Sequence, residues 1–276
     1  MLNLPEVTLL CVDTRTPTLA IGAMKRCLAQ IRFGDAVLLT DPAQVSELPP
    51  GIRLQSVSVD SIEAYSELML RGLLPHVSTS HVLVVQWDGY VLDASRWDNE
   101  FLQVDYIGAL WRRQPPGRST VGNGGFSLRS RRLLEALRNP SIVIGHPEDT
   151  CICHDNRARL EREHGIRFAS PALAARFSYE RVEPTAATFG FHGMFNMHRV
   201  LSADALHKLV GSLPDVLAAG VDAQDLCETL ITQGQLDTAA QLLAKRQRLG
   251  MRDRRTLWLR WQLQLARWRR QRQPRP

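Results

Sequence analysis

Cysteine is scarce in this chain: five residues (11, 27, 151, 153 and 227) in 276, odd in number and scattered. That excludes a disulfide framework and suits a reducing compartment. Long apolar runs are missing too. No window approaches the roughly 20 apolar residues a membrane-spanning helix needs. No basic flank precedes the short apolar run near Met1, so no secretory signal is expected. Several catalytic signatures are absent as well. There is no Gly-x4-Gly-Lys phosphate loop, no Gly-x-Gly-x-x-Gly after a strand, no Gly-x-Ser-x-Gly elbow and no His-Glu-x-x-His. What remains is a globular chain, 44% apolar and 22% charged, long enough to bury a full core without staples.

Negative charge is nearly absent from one segment. Residues 245–276 hold twelve Lys and Arg against one acid, Asp253, a net of +11. The whole chain is +6, so residues 1–244 carry +6 − 11 = −5. The basicity therefore belongs to a tail and says little about a site in the main body. Trp258, Trp261 and Trp268 alternate with arginines there. One reading is an amphipathic helix with its Trp and Leu packed inward and its arginines solvated. The other is a peripheral contact with an anionic membrane surface or an acidic protein. Nucleic acid is not expected as a partner.

The first 110 residues alternate short apolar runs with helical spacing. Residues 7–12, 36–39 and 82–85 read as strands. Residues 18–31 and 61–74 read as helices, with Leu19, Met24, Cys27, Leu28 and Ile31 at near-helical spacing in the first. Such alternation predicts parallel strands buried on both faces of an α/β sheet. In these sheets ligands bind beyond the carboxyl ends of the strands. Asp13, Thr14 and Arg15, Asp41, and Asp88 stand at three such ends. Asp and Thr also end strands simply because they favour turns, so it is their convergence on one edge that points to a site.

Further along, Val121-Gly-Asn-Gly-Gly-Phe-Ser-Leu-Arg129 places three glycines in four residues. There the backbone either takes positive φ in a hairpin or lies close against something, such as a sugar. Ser127 or Ser130 caps a helix that follows. Pro147-Glu148-Asp149 opens a helix over 147–165, which Gly165 could end. Carboxylates there are either helix-end charges stabilised by the dipole or a general base for an attacking hydroxyl. His192 lies among glycines and phenylalanines, as a metal ligand, a diphosphate contact or a plain loop histidine. From about 201 the chain is helical. Residues 223–247 and 253–270 read as two helices of a hairpin, with a tetratricopeptide-like stretch from Leu226.

In order along the chain, the segments 82–88, 97–108, 122–129, 147–149 and 189–196 resemble the DUF5672 family over about residues 5–200. A more distant likeness runs to inverting GT-A glycosyltransferases of the fringe and β3-galactosyltransferase group. The resemblance implies a GT-A-like, Rossmann-like α/β core over residues 1–200 and a helical extension over 201–276. It implies transfer of a sugar from a nucleotide diphosphate-sugar, a UDP-sugar first, to a glycan or other hydroxyl acceptor. Asp149 would be the base, beside Glu148. The donor would lie near Asp13, Thr14, Arg15, Asp41, Asp88, Gly124, Gly125 and Phe126, with Trp87 or Trp111 in the floor. A divalent cation, Mn²⁺ or Mg²⁺, would sit on Asp88 with His192. The group's Asp-x-Asp motif needs an acid at position 90, where this chain has Tyr90, so Arg15, Lys25 or Arg129 could instead meet the diphosphate. A cytoplasmic or membrane-peripheral location is expected. The alternative is a non-catalytic carbohydrate- or partner-binding module on a degenerate transferase scaffold.

Overall fold

The computed structural model describes residues 1–272, so the last four positions of the basic segment 245–276 and of the expected extension lie outside the described residues. The chain forms two compact units that divide between His192 and Gly193, where the sequence reading places the boundary at 200/201.

The first unit is mixed α/β around a six-stranded sheet, the class expected. Its strands are β1 (Leu2–Val12), β2 (Ile31–Thr40), β3 (Arg53–Ser56), β4 (His81–Val85), β5 (Tyr106–Ile107) and β6 (Ser127–Ser130), in the order β3-β2-β1-β4-β6-β5. Strands β1 to β4 are parallel, with Leu9 opposite both Ala36 and Leu83. Leu9, Leu10, Val37, Leu38, Leu83 and Val84 are at most 1% exposed, which is why the central strands read as unbroken apolar runs. Leu10, Val12, Val37, Leu39, Val82 and Val84 share one face and pack against Met69, Leu73, Val77 and Leu134. Fully burying one such side chain contributes roughly 1.5–3 kcal/mol. Helix α1 (Pro17–Leu28) packs on β1 and β2 and buries Ala20, Ala23, Met24 and Cys27.

Two of the expected helices are shorter than their spacing suggests. The helix expected over 18–31 stops at Leu28, because Ile31 fits the helical spacing yet begins β2. The helix expected over 61–74 is α2 (Ile62–Glu67), capped by Ser61, which then loosens into a π turn over Leu68–Gly72. The strands read from the sequence, β1, β2 and β4, are parallel as expected, and β6, outside that reading, runs antiparallel to β4 and pairs Val84 with Ser127. That reversal positions the site. It puts the start of β6, with the glycines before it, at the edge where β4 ends.

Beyond β6, Ser130 accepts a hydrogen bond from the Leu133 amide and caps α3 (Arg131–Leu137). The stretch expected as one helix over 147–165 comprises α4 (Glu148–Thr150), a π turn over Cys151–Asp155, and α5 (Arg157–His164), which Gly165 ends at φ +63°. Asp105, 5% exposed, ties these parts together. It accepts from Ser130 Oγ at 2.6 Å, from Arg132 at 2.5 Å and from the Arg167 amide at 2.7 Å. Helix α6 (Pro171–Phe177) leads into the short parallel pair β7 (Ser178–Tyr179) and β8 (Gly190–Phe191).

The second unit, described by itself, is helical: α7 (Met197–Val200), α8 (Ala203–Ser212), α9 (Val221–Thr232), α10 (Leu236–Arg248) and α11 (Arg254–Arg272). The helix expected over 223–247 is broken at Gly234, φ +75°, into α9 and α10. Part of the basic segment builds this unit from within. Arg246 is fully buried and donates to the carbonyls of Ala219 and Gly220, to Asp253 Oδ2 at 3.0 Å and to Thr256 Oγ1 at 2.7 Å. Lys245, 5% exposed, donates to the carbonyls of Gly211 and Leu213. These cations meet the carbonyls left unpaired where helical turns end.

Candidate active site at the sheet edge

The register of the parallel strands (Val12 opposite Leu39, Thr40 opposite Ser56, Cys11 opposite Val85) aligns their carboxyl ends on one edge. Over β1 to β3 that edge is open. A polar cleft of about 370 Å³ is lined by Thr14, Asp41, Gln44 and residues 56–59. Two of the expected donor residues, Thr14 and Asp41, thus share one cavity. Asp41 caps the turn after β2, accepting from the Ala43 amide at 3.0 Å, and stays half-exposed. Asp13 is used differently. Its carboxylate accepts from the Arg15 and Thr16 amides and from Thr16 Oγ1, so it shapes its own loop. Arg15 is exposed on that loop.

Over β4 and β6 the edge is closed by interlocked polar groups. The His192 ring lies between the backbones of Gly89 and Gly125. A Cβ on Gly125 would fall 2.1 Å from Nε2, and one on Gly89 would fall 2.8 Å from Cδ2. His192 Nε2 is 3.0 Å from Gln86 Oε1, and Gln86 donates through Nε2 to Tyr65 Oη at 2.8 Å. On the other side, His192 Nδ1 is 3.1 Å from Asn123 Nδ2. Nδ1 also lies 3.4 Å from Glu180 Oε1, so it accepts from Asn123 in the neutral ring and donates to Glu180 in the charged one, while Nε2–H donates to Gln86 in both. The ring also has two carboxylates near it, Asp88 Oδ1 at 3.6 Å and Glu180 Oε1 at 3.4 Å. Burial acts to raise the Glu180 carboxyl, but its hydrogen bond from His192 and the His192 charge outweigh that and hold it below the usual range.

Glu148 and Arg129 form the second interlock. Arg129 is fully buried, and it donates to Ser127 Oγ, to the Met69 carbonyl and to the Gly124 carbonyl. Its guanidinium lies 3.8 Å from Glu148 Oε1. A Cβ on Gly124 would fall 2.2 Å from that same oxygen, so the glycine makes room for the carboxylate. Burial pushes the Glu148 carboxyl up; Arg129 lowers it and Asp149 raises it further. Asp149 is half-buried at the start of α4, its Oδ1 accepting from the Thr150 amide at 2.7 Å.

The structure thus brings together Asp88, Gly124, Gly125, Glu148 and His192, and it relocates other expected residues. The approach that Gly124 and Gly125 permit is to Glu148 and His192 of the protein itself. Phe126, expected at the ligand floor, is fully buried, stacked with Phe177 and Phe189 behind the glycines. Arg129 cannot meet a diphosphate, because its donors are taken inside. Lys25 lies in the last turn of α1, which returns to the start of β2 and so to the opposite sheet edge. Tyr90, in place of the motif's second acid, is 5% exposed against Phe191 and Arg26. Trp111 covers Gly122 and meets His154. Sequence reasoning missed Gln86, Asn123 and Glu180. Asn123 carried a signal: its φ of +63° is a conformation that Asn tolerates beside glycines.

The family model described as a protein of unknown function (DUF5672) matches residues 51–192 and ends at the residue where the first unit ends. The chain belongs to the DUF5672 family. No curated protein matches it. Among solved structures, this DUF5672 chain is similar to a glycosyltransferase involved in glycosylation of the major capsid of PBCV-1, at 14% identity and TM-score 0.41, covering 67% of this chain and 91% of that one. It is similar to the mannosyltransferase PcManGT of Pyrobaculum calidifontis, in complex with GDP-Man and Mn²⁺, at 14% identity and TM-score 0.41, covering 98% of this chain and 88% of that one. A 4-diphosphocytidyl-2C-methyl-D-erythritol synthase of Anaerococcus prevotii matches at 8% identity and TM-score 0.38, covering 59% of this chain and 86% of that one.

Proposed function

We propose that this DUF5672 protein is a glycosyltransferase that moves a sugar from a nucleotide diphosphate-sugar, a UDP-sugar first, to a glycan or other hydroxyl acceptor with inversion. The observation that carries the reading is one sheet edge holding both an open polar cleft (Thr14, Asp41) and a rigid cluster of acid, histidine and glycine backbone (Asp88, His192, Gly124, Gly125). The nucleoside binds in the cleft, with Arg15 and the loop shaped by Asp13 beside it, and the diphosphate extends toward Asp88. Asp149 takes the proton of the acceptor hydroxyl. The acceptor oxygen bonds to the anomeric carbon from the face opposite the leaving group. The bond from that carbon to the phosphate oxygen breaks, and its electron pair leaves with the nucleoside diphosphate. Glu148, held by Arg129, positions Asp149 and takes no proton from the acceptor.

A protein-held ion wants several convergent oxygen or nitrogen ligands. Among the described residues, no group of three His, Cys, Asp or Glu could hold a metal ion. Asp88 and His192 approach each other, but both ring nitrogens of His192 face protein partners. The residues do not fit a resident metal, and the mechanism routes no step through one.

The test is thermal stability of the chain against UDP, GDP, CMP and their sugar conjugates, each with and without Mn²⁺. A ligand that binds the folded state adds about 2.7 kcal/mol at a hundred times its dissociation constant. A shift with one nucleotide that Asp41→Ala removes supports the cleft. Transfer that Asp149→Asn abolishes, with nucleotide affinity retained, supports the base; full activity of that variant overturns the assignment. The rival is a non-catalytic carbohydrate- or partner-binding module on a degenerate scaffold, and the buried Tyr90 favours it. It predicts no shift with any nucleotide.

A further inference from the structure

The basic segment divides at α11. Before it, Lys245, Arg246 and Arg248 are spent on carbonyls and on Asp215 and Asp253. Helix α11 itself contains seven arginines, three tryptophans and no acid in 19 residues. Its inward stripe is Thr256, Leu259 and Leu263, all buried. The amphipathic reading expects the tryptophans inside with the leucines, whereas in the structure the tryptophans face outward. Trp258, Trp261 and Trp268 are 41%, 56% and 48% exposed, and Leu257 is 50% exposed.

Those exposed residues form one surface. At 100° per residue, positions 258, 261, 265 and 268 recur at spacings of three, four and three and lie within about 80° of each other, on the side opposite the buried stripe. Arg254 and Arg272 project on that side at its two ends, and Arg269 flanks it. Arg272 stacks over Trp268 at 4.1 Å. Among the described residues, no carboxylate lies within salt-bridge distance of Arg254, Arg269, Arg270 or Arg272, whereas Arg255 is paired with Asp225 and Glu228.

We propose that α11 binds flat on an anionic lipid bilayer, with its indoles at headgroup depth and its arginines on the lipid phosphates. The residue types point to lipid. Indole combines an apolar ring with a polar N–H and prefers the membrane–water interface, and basic residues beside it add attraction to anionic headgroups. Nineteen residues make a helix of about 28 Å, and no helix among the described residues is long and apolar enough to cross a membrane. A second copy of the chain is a poor occupant, because it would set arginines against arginines. The −5 charge of residues 1–244 disfavours any other approach to an anionic surface. The proposal is independent of sugar transfer.

The test is co-sedimentation of the full chain with vesicles of phosphatidylcholine, with and without one third phosphatidylglycerol, at low and high salt, together with tryptophan emission. The expected result is binding to the anionic vesicles about tenfold or more tighter than to neutral ones, weakened by salt, with a blue-shifted emission. Replacing Trp258, Trp261 and Trp268 by Ala should abolish the blue shift and most of the binding. Changing Arg254, Arg269 and Arg272 to Gln should remove most of the preference for anionic lipid. All these side chains are exposed, and an unchanged melting temperature checks that the variants fold. No binding by a folded wild-type chain overturns the proposal. So does binding that survives both sets of changes, tighter binding to an oligonucleotide than to vesicles, or a stable dimer that the tryptophan variant dissolves.

Discussion

The two halves of the sheet edge are made from similar residues and work in opposite ways. Over β1 to β3, Thr14 and Asp41 line open space and remain half-exposed. Over β4 and β6, Glu148, Arg129 and His192 are buried or nearly so; Arg129 and His192 are each held by several protein groups, and Glu148 by Arg129. Strand direction makes the difference. Parallel strands leave short turns that open outward beyond their carboxyl ends, whereas antiparallel β6 brings a loop back over that edge and closes it. Polar residues in the open half are available to a ligand. In the closed half they hold one another in place, and substitution there should act on stability first.

The largest effect is expected from Arg129→Met, which leaves Glu148 as a buried carboxylate without its cation. Breaking such a pair costs about 3–5 kcal/mol, read by denaturant unfolding. Glu148→Gln should be far milder near neutral pH, with a characteristic pH dependence. Its folded carboxyl is raised above the ordinary value of 4.5, so ionisation works against the folded state. The stability associated with the protonated form is complete below the unfolded value and is lost as pH rises through the folded one. The Gln variant should therefore gain on wild type as pH increases across that window. A constant difference across pH would remove Glu148 from the closed half.

Gly125→Ala comes next. Its methyl carbon would fall 2.1 Å from the His192 ring, and the ring cannot yield without releasing Gln86 and Asn123. Overpacking of this kind costs about 1–3 kcal/mol. Gly124→Ala meets the far ends of two side chains, Glu148 Oε1 at 2.2 Å and Arg129 Nη2 at 3.2 Å, rather than a ring, and should cost less. If the two variants unfolded alike, His192 would not be the rigid element of the cluster.

The sequence made the open half legible and the closed half much less so. Strands β1, β2 and β4 were readable because burial on both faces forces unbroken apolar runs, and Asp41 and Asp88 follow directly where those runs end. Strand β3 (Arg-Leu-Gln-Ser) was not readable, because an edge strand needs no apolar run. The direction of β6 was also hidden, since four residues show periodicity but not orientation. Hence Gly124 and Gly125 could be recognised as places of close approach, while the partners proved to be Glu148 and His192 from far along the chain. Gln86, Asn123 and Glu180 have no local motif at all. They matter through contacts that only the folded sheet creates.

In the open half, Asp41→Ala should lose one turn cap and little else, about 1 kcal/mol or less of stability, while weakening nucleotide binding about tenfold if the cleft holds the nucleoside. Thermal shift with and without nucleotide separates the two effects.

The smallest effect has the opposite sign. Gly22 lies in the middle of α1, the helix that follows β1, and a Cβ there would meet nothing within 4 Å. Alanine restores helix propensity without a clash, so Gly22→Ala should stabilise by about 0.5–1 kcal/mol. The same substitution is thus expected to stabilise beside the open half and to destabilise by more at Gly125 in the closed half. Two unfolding curves measure that contrast directly. A destabilised Gly22→Ala would mean that α1 is held closer to its neighbours than its open surroundings indicate, and that the cleft side of the sheet is the less tolerant one.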